Sequence, residues 1–209
     1  MAVITAQMVK DLREMTGVGP LDCKKALEAN DGDLTKAADY LREKGLAKAA
    51  KKLSAGRAMN EGLIESYLHF NKRLGVMVEV NCETDFVANT DSFRSFVKEV
   101  ALHIANLAPQ YVRREDIPSA VIEAERDLQM RRTREESPNK PDAVIEKIVD
   151  GRMEKFFQEI VLMEQPTLRD ESKTISQYLS ETVAEVGESI LIRRFARFAL
   201  GDSNADEGE

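Results

Sequence analysis

The chain has 209 residues, of which 43% are hydrophobic and 32% are charged, and its formal net charge is −7. This length and apolar content suffice for one sizeable domain or two small ones. The acidic balance argues against general nucleic-acid binding, in which lysine and arginine neutralise phosphates. Cys23 and Cys82 are the only cysteines, and no apolar run approaches the ~20 residues of a membrane span. With no secretory signal pattern, the sequence predicts a cytoplasmic protein with two buried thiols and no membrane contact.

Residues 5–53 show the apolar periodicity of helices, interrupted by two short turns. Thr5 is suited to cap a first helix, Pro20 to open a second, and Asp33 to cap a third that Gly45 closes. The side chains predicted to face inward are Met8, Val9, Leu12, Met15, Cys23, Ala26, Leu27, Leu34, Ala37, Ala38 and Leu41. This pattern predicts a bundle of three short helices of the ubiquitin-associated-like type.

The balance of charge turns basic over residues 42–57, which end in a small-residue stretch at 54–56. We interpret the segment as a helical extension followed by a linker. Its charge either solvates the helix or forms a basic surface for an acidic partner. The linker predicts a boundary between an N-terminal domain, 1–54, and a core domain, 55–200.

The periodicity changes from helical to alternating at Gly62, which indicates an antiparallel hairpin. Its second strand places Val76, Val78, Val80 and Cys82 on one side. A third strand is predicted over residues 188–200, although Phe195 and Phe198 fall on opposite faces of it. That strand is therefore either bulged or covered on both faces, in the second case by another subunit.

Helical patterns fill the rest of the core domain. One amphipathic helix runs from Phe93 to Leu107. Stretches 119–136 and 142–163 are joined by a proline-containing turn and predict a protruding helical hairpin, or coiled coil, over 119–163. A last helix is expected at 174–186, and the acidic tail 201–209 is expected to be disordered. The fold class predicted is α+β: a helical bundle, then a three-stranded antiparallel sheet with covering helices and the hairpin.

Motifs of catalysis and metal binding are missing from the sequence. His69 and His103 are the only histidines and lie on different predicted elements. No glycine-rich phosphate loop and no nucleophile motif occurs. The sequence therefore predicts a protein that is not an enzyme and holds no metal or cofactor.

One segment, Thr84–Val87 with the sequence TDFV, follows the second strand and precedes the helix that begins near Asp91. Two interpretations remain open from its pattern. Asp85 could cap a helix while Phe86 packs inward. Alternatively, an exposed loop presents the Asp85 carboxylate beside Phe86 as an apolar wedge that enters a cleft in a partner.

Several stretches resemble the elongation factor Ts family. The segment NCETDFVANTDSF at 81–93 is very similar to that family's signature, and so is the helical region 10–45. The similarity resumes at 141–166, 172–179 and 186–198 and thus covers nearly the whole chain in order. The resemblance implies a guanine-nucleotide exchange factor that binds elongation factor Tu, both GDP-bound and nucleotide-free, and promotes GDP release.

The resemblance also implies where the partner binds. Thr84, Asp85, Phe86 and Val87 would disturb the Mg²⁺ and phosphate site of the GTPase. By position in the family pattern, the N-terminal bundle would dock through Leu12, Arg13, Pro20, Leu21 and Lys24. The family often has two methionines at the positions of Pro20 and Leu21, which puts the Pro20 contact in doubt. His69, at the hairpin tip, resembles a further contact position.

The chain has a single hairpin-and-strand unit and resembles the short branch of the family, which implies a homodimer. An alternative is a ubiquitin-associated-like binding module on an unrelated scaffold, without exchange activity. That alternative explains residues 5–45 but gives the TDFV segment no role. Recovery of elongation factor Tu rather than ubiquitin in a pull-down would distinguish the two.

Overall fold

A computed structural model describes residues 4–16, 18–53 and 59–202 of the chain. Gly17 and most of the predicted linker, with the domain boundary at 54/55, lie outside the described residues. The predicted disordered tail also lies outside them from residue 203 onward. Within the described ranges, the structure is an α+β fold with a helical N-terminal part and a three-stranded antiparallel sheet.

The N-terminal part is a bundle of three helices: α1 (Ala6–Thr16), α2 (Pro20–Ala29) and α3 (Leu34–Leu53). The predicted starts of its helices are confirmed. The Thr5 hydroxyl accepts a hydrogen bond from the Met8 N–H at 3.2 Å, and Pro20 occupies the start of α2. The bundle core consists of Leu12, Cys23, Ala26, Leu27, Ala37 and Leu41.

Two predictions for the bundle are wrong. Met15 is 63% exposed rather than inward-facing, because it lies in the last turn of α1, past the buried Leu12. Gly45 does not close α3, which runs on to Leu53. A Cβ at Gly45 would lie 3.4 Å from the Cβ of Ala184, so the glycine allows a close helix contact instead of ending the helix.

The sheet contains β1 (Glu61–Leu68), β2 (Leu74–Cys82) and β3 (Ile190–Ala199) in that spatial order. The predicted inner face of β2 is confirmed, since Val76, Val78, Val80 and Cys82 are all buried. At Gly62, φ is +143°, and a Cβ there would lie 2.1 Å from the Val80 carbonyl oxygen. Only glycine allows this close approach of β1 to β2.

A bulge in β3 explains the positions of its two phenylalanines. Glu79 pairs with Arg194 whereas Val80 pairs with Ile192, which leaves Arg193 as an extra residue. The bulge shifts the alternation, so that Phe195 packs on the core and Phe198 is 68% exposed on the opposite face. The bulged-strand alternative is therefore confirmed.

Helices cover the inner face of the sheet. The short helix α4 (Asp85–Ala88) follows β2, and α5 (Asp91–Leu107) packs on β1 and β2. Helix α8 (Ile175–Val186) packs on α5 and also on α3 of the bundle. The core between these layers is apolar, with Phe93, Phe96, Val97, Val100, Ile104, Leu179, Val183, Ile190 and Ile192 buried.

The helical hairpin consists of α6 (Ser119–Glu136) and α7 (Asp142–Ile160). The end of α6 is as predicted, but α7 ends three residues earlier because residues 162–164 form a 3₁₀ turn. Arg114 fixes the base of the hairpin: its guanidinium bonds Glu154 at 2.6 Å, pairs with Glu164 and lies 4.3 Å from the centre of the Phe157 ring.

Candidate functional site

The TDFV segment forms the turn from β2 into α4. The Thr84 hydroxyl accepts a hydrogen bond from the Val87 N–H at 3.4 Å and so caps this short helix. Asp85 is the first helical residue and not the cap. The interpretation in which Asp85 caps and Phe86 packs inward is therefore wrong in both parts, since Phe86 is 78% exposed.

The segment presents two side chains and buries the next two. Asp85 and Phe86 are exposed, whereas Val87 and Ala88 lie in the core that the sheet shares with α5. Burial of Val87 and Ala88 fixes α4 on the protein surface with Phe86 pointing outward. Val87 thus supports the segment from beneath, and its side chain is not available for direct contact with a partner.

Hydrogen bonds on both sides fix this turn. The Cys82 thiol donates to the Thr84 carbonyl oxygen at 3.1 Å, and burial raises the pKa of that thiol to about 11. On the other side, the Asn89 amide donates to the Asp85 carbonyl oxygen at 2.9 Å. Arg94 in turn donates to Asn89 at 2.7 Å, which ties the turn to α5. Cys82 is hence a neutral structural thiol, as its apolar sequence context indicates.

The predicted docking residues of the bundle separate into exposed and buried positions. Arg13, Pro20, Leu21 and Lys24 are exposed, and Leu21 is 66% exposed. Leu12 is fully buried in the bundle core, so it supports the surface without forming part of it. Sequence reasoning missed Met15 as a surface residue, although it is 63% exposed at the end of α1, just before the turn to α2.

Comparison with known proteins decides the family. A sequence profile described as elongation factor TS matches residues 21–202. The chain is 53% identical over 199 residues to elongation factor Ts of Geobacter sulfurreducens, covering 95% of this chain and 90% of that protein. It is 55% identical over 200 residues to elongation factor Ts of a Thermoanaerobacter species, covering 96% of each chain. The chain belongs to the elongation factor Ts family.

The family match covers most of the described elements. The matched region contains α2, α3, the sheet, the TDFV turn and the helical hairpin. A ubiquitin-associated-like module on an unrelated scaffold is excluded, because that interpretation concerned only residues 5–45. The elongation factor Ts relatives also identify the chain as a translation elongation factor acting in protein biosynthesis.

The two histidines of the chain occupy different environments. His69 follows β1, where its Nδ1 lies 2.8 Å from the Tyr67 hydroxyl and its ring lies 4.5 Å from that of Phe70. Phe70 beside it is 87% exposed. His103 on α5 is buried and bonds the Gln165 side-chain oxygen at 2.9 Å. Burial lowers the pKa of His103.

The described residues contain neither a metal-binding cluster of side chains nor a membrane-spanning helix. Among residues 4–16, 18–53 and 59–202, no cluster of three or more histidine, cysteine or acidic side chains is placed to hold a metal ion. Over the same ranges, no helix is long and apolar enough to cross a membrane.

Proposed function

We propose that this chain is a guanine-nucleotide exchange factor that binds elongation factor Tu, in its GDP-bound and nucleotide-free forms, and promotes GDP release. The observation that carries the proposal is the exposure of Phe86 on a rigid support. An apolar ring 78% exposed gains by burial, and the buried Val87 and Ala88 keep it from folding back onto its own protein. In this role the chain changes a binding equilibrium and catalyses no chemical reaction of its own.

The proposed action of the TDFV segment is mechanical and electrostatic. Phe86 enters a cleft beside the nucleotide site and shifts the elements that hold Mg²⁺ and the phosphates. A displacement of about 1 Å weakens such geometry-sensitive contacts strongly. The Asp85 carboxylate, next to Phe86, adds a negative charge near the metal and so disturbs its surroundings.

Docking is assigned to the exposed surface of the bundle formed by Arg13, Pro20, Leu21 and Lys24, together with Met15. Leu21 and Met15 supply apolar contact, while the basic side chains favour an acidic partner surface. His69 at the hairpin tip is proposed as an additional contact. Its hydrogen bond to Tyr67 fixes the ring orientation, and the exposed Phe70 beside it enlarges the same contact.

Exchange follows from thermodynamic coupling between the two ligands of the GTPase. If the factor weakens GDP binding by some ratio, GDP weakens factor binding by the same ratio. The complex that contains both is therefore transient, and GDP leaves it. Binding of GTP then displaces the factor by the same coupling.

We also propose that the chain is a homodimer. The face of the sheet away from the helices carries the exposed side chains Ile64, Leu68, Met77 and Phe198, each more than half exposed. Register places Gly75 between Leu68 and Phe198 and places Met77 between Ser66 and Ala196, whereas Ile64 lies beside Glu79, which pairs with Arg194. A second copy applied to the same face would bury it. We call these four residues the open sheet face.

The experiment that tests the exchange function is release of a fluorescent GDP derivative from elongation factor Tu. Purified full-length protein should accelerate the release in a concentration-dependent manner up to a maximal rate. Bovine serum albumin at equal concentration controls for non-specific effects. An unchanged release rate at saturating protein, with binding to the GTPase established by co-sedimentation, would contradict the proposal.

A further inference from the structure

Two chain segments run side by side at one end of the sheet, just beyond the pair that Cys82 forms with Ile190. One segment, Glu83–Thr84, leads from β2 into α4. The other, Glu188–Ser189, leads from α8 into β3. Gly187 ends α8 in a left-handed conformation with φ of 78° and so turns the chain toward the sheet.

Carboxylates connect these segments in both directions. The Glu188 carboxylate accepts one hydrogen bond from the Thr84 backbone N–H at 3.0 Å and another from the Thr84 hydroxyl at 2.8 Å. In the reverse direction, the Ser189 N–H donates to the Glu83 carboxylate at 2.9 Å. Hydrogen bonds to an ionised acceptor are stronger than neutral ones, so Glu188 holds both donors of Thr84 firmly.

The bonds to Glu188 determine how Thr84 can act as a cap. Because the Thr84 hydroxyl donates its proton to Glu188, its lone pairs point to the Val87 N–H, 3.4 Å away. The Thr84 carbonyl oxygen also accepts from the Ala88 N–H at 3.3 Å. The rotamer of Thr84, and with it the start of α4, therefore depends on a carboxylate that is distant in sequence.

We infer that Glu188 is a positioning residue for the wedge, holding Phe86 in the orientation that its partner requires. The inference rests on the proposed function and names a residue that acts on the partner only through Thr84. Helix α8, which ends just before Glu188, also contacts the bundle: Arg42 on α3 pairs with Glu181 at 2.7 Å. Glu188 thereby links the wedge to the helix that packs against α3 of the bundle.

The consequence for exchange is a matter of preorganisation. The bundle docks independently, so the complex forms even when the wedge samples several orientations. Only the fraction with Phe86 correctly directed weakens GDP binding. Loss of the Glu188 bonds should therefore lower the maximal rate of GDP release and leave the half-saturating concentration nearly unchanged.

The test compares four full-length proteins: the parent, Glu188→Ala, Glu188→Gln and the control Glu171→Ala, which removes an exposed carboxylate in the loop before α8. Amide hydrogen exchange of Thr84 and Val87 is measured on the free proteins, and GDP release from elongation factor Tu is measured over a range of factor concentrations. In Glu188→Ala, exchange of these amides should accelerate about tenfold, because loss of a hydrogen bond to a charged group changes the opening equilibrium of the turn by about that factor. The maximal release rate should fall severalfold.

Glu188→Gln should lie between the parent and Glu188→Ala, because its amide oxygen can still accept from the Thr84 N–H while its NH₂ cannot accept the proton of the Thr84 hydroxyl. Glu171→Ala should match the parent in both measurements. If Glu188→Ala does not fold, Glu188→Asp takes its place, since the shorter side chain keeps the charge but cannot reach both donors.

Unchanged amide exchange in the Glu188→Ala protein would overturn the inference, and so would faster amide exchange with an unchanged maximal rate. An equal loss in Glu188→Gln would also overturn it, since the hydrogen bonds would then not be what matters. Failure of the proposed function gives a different result: the parent itself does not accelerate GDP release, while the amide measurement still reports whether Glu188 fixes the turn.

Discussion

Phe86 and Val87 are neighbours in the chain but lie in opposite environments, the first 78% exposed and the second 3% exposed. The Thr84 cap and the burial of Val87 orient the short helix so that one side chain supports and the other protrudes. Substitution at the two positions should therefore separate function from stability.

Phe86→Ala should remove most exchange activity and change the free energy of unfolding by only about 0.5 kcal/mol, because the ring is exposed in the free protein. Loss of its contact in the complex should cost on the order of 2–4 kcal/mol of interaction free energy. Val87→Ala should instead destabilise the fold by about 1–3 kcal/mol through the cavity it leaves. The measurements are the maximal rate of GDP release and thermal melting. A parent-like maximal rate for Phe86→Ala with an unchanged melt would refute the wedge.

Asp85→Asn tests the electrostatic part of the mechanism at nearly constant shape. We expect a smaller loss of maximal rate than for Phe86→Ala, because solvent and salt screen part of the effect of a surface charge. Raising the salt concentration should reduce the difference between Asp85→Asn and the parent. A loss as large as that of Phe86→Ala, independent of salt, would show that Asp85 makes a direct contact instead.

The bundle offers a matched pair of leucines. Leu21→Ala, at an exposed position, should raise the factor concentration needed for half-maximal GDP release and preserve the maximal rate, since it weakens docking alone. Leu12→Ala, in the core, should lower the free energy of unfolding by about 2–5 kcal/mol. Titration of the factor against GDP release distinguishes the two. If excess factor does not restore the maximal rate of Leu21→Ala, Leu21 acts in exchange itself and not in docking.

The ends of the helices and the faces of the hairpin could be predicted because they depend on neighbouring residues. Thr5, Pro20 and Asp33 act within one helical turn, as the 3.0 Å bond from the Lys36 N–H to Asp33 illustrates. The wrong predictions concern contacts across the fold. Glycine often ends helices, but here Gly45 lies inside α3 and faces Ala184. No local pattern reveals that Ala184 approaches so closely.

The candidate site shows the same limit. The resemblance to the family located the TDFV segment, but pattern alone left open whether Phe86 points in or out. Burial of Val87 and Ala88 directs it outward, and the turn is also held by a hydrogen bond between Thr84 and Glu188, which are 104 positions apart and so not linked by any local pattern. Helical periodicity assigns Leu12 and Met15 to one face. It does not show that the other helices of the bundle cover Leu12 and leave Met15, in the last turn of α1, exposed.

The open sheet face should control association. Phe198→Asp should shift the protein toward a monomer, because a carboxylate buried in the apolar contact would lack a partner. Leu168→Asp, at an exposed leucine outside the sheet, serves as the control for added charge. Sedimentation in reducing buffer at micromolar concentration is the measurement, and both described cysteines are free and buried. A monomeric parent under these conditions, or a dimeric Phe198→Asp protein, would contradict the homodimer.

The last prediction concerns pH. Burial lowers the pKa of His103 below its ordinary value of 6.5, and its Nδ1 has no hydrogen-bond partner among the described residues. A group whose pKa is lower in the folded state binds protons more readily when unfolded, so stability is full above pH 6.5 and falls as the pH drops toward the lowered value. The melting temperature of the parent should therefore decrease between pH 7.5 and 5.

His103→Asn, which does not titrate, should melt at a lower temperature at pH 7.5 because its shorter side chain packs less well and does not reach Gln165, which the imidazole Nε2 bonds. Its melting temperature should depend less on pH over the same interval than that of the parent. His69→Asn measures any contribution of the only other histidine. Equal pH dependence in the parent and His103→Asn would mean that other groups cause the acid destabilisation. A reduced dependence in His103→Asn alone would identify the buried ring on α5 as the group whose protonation opposes folding.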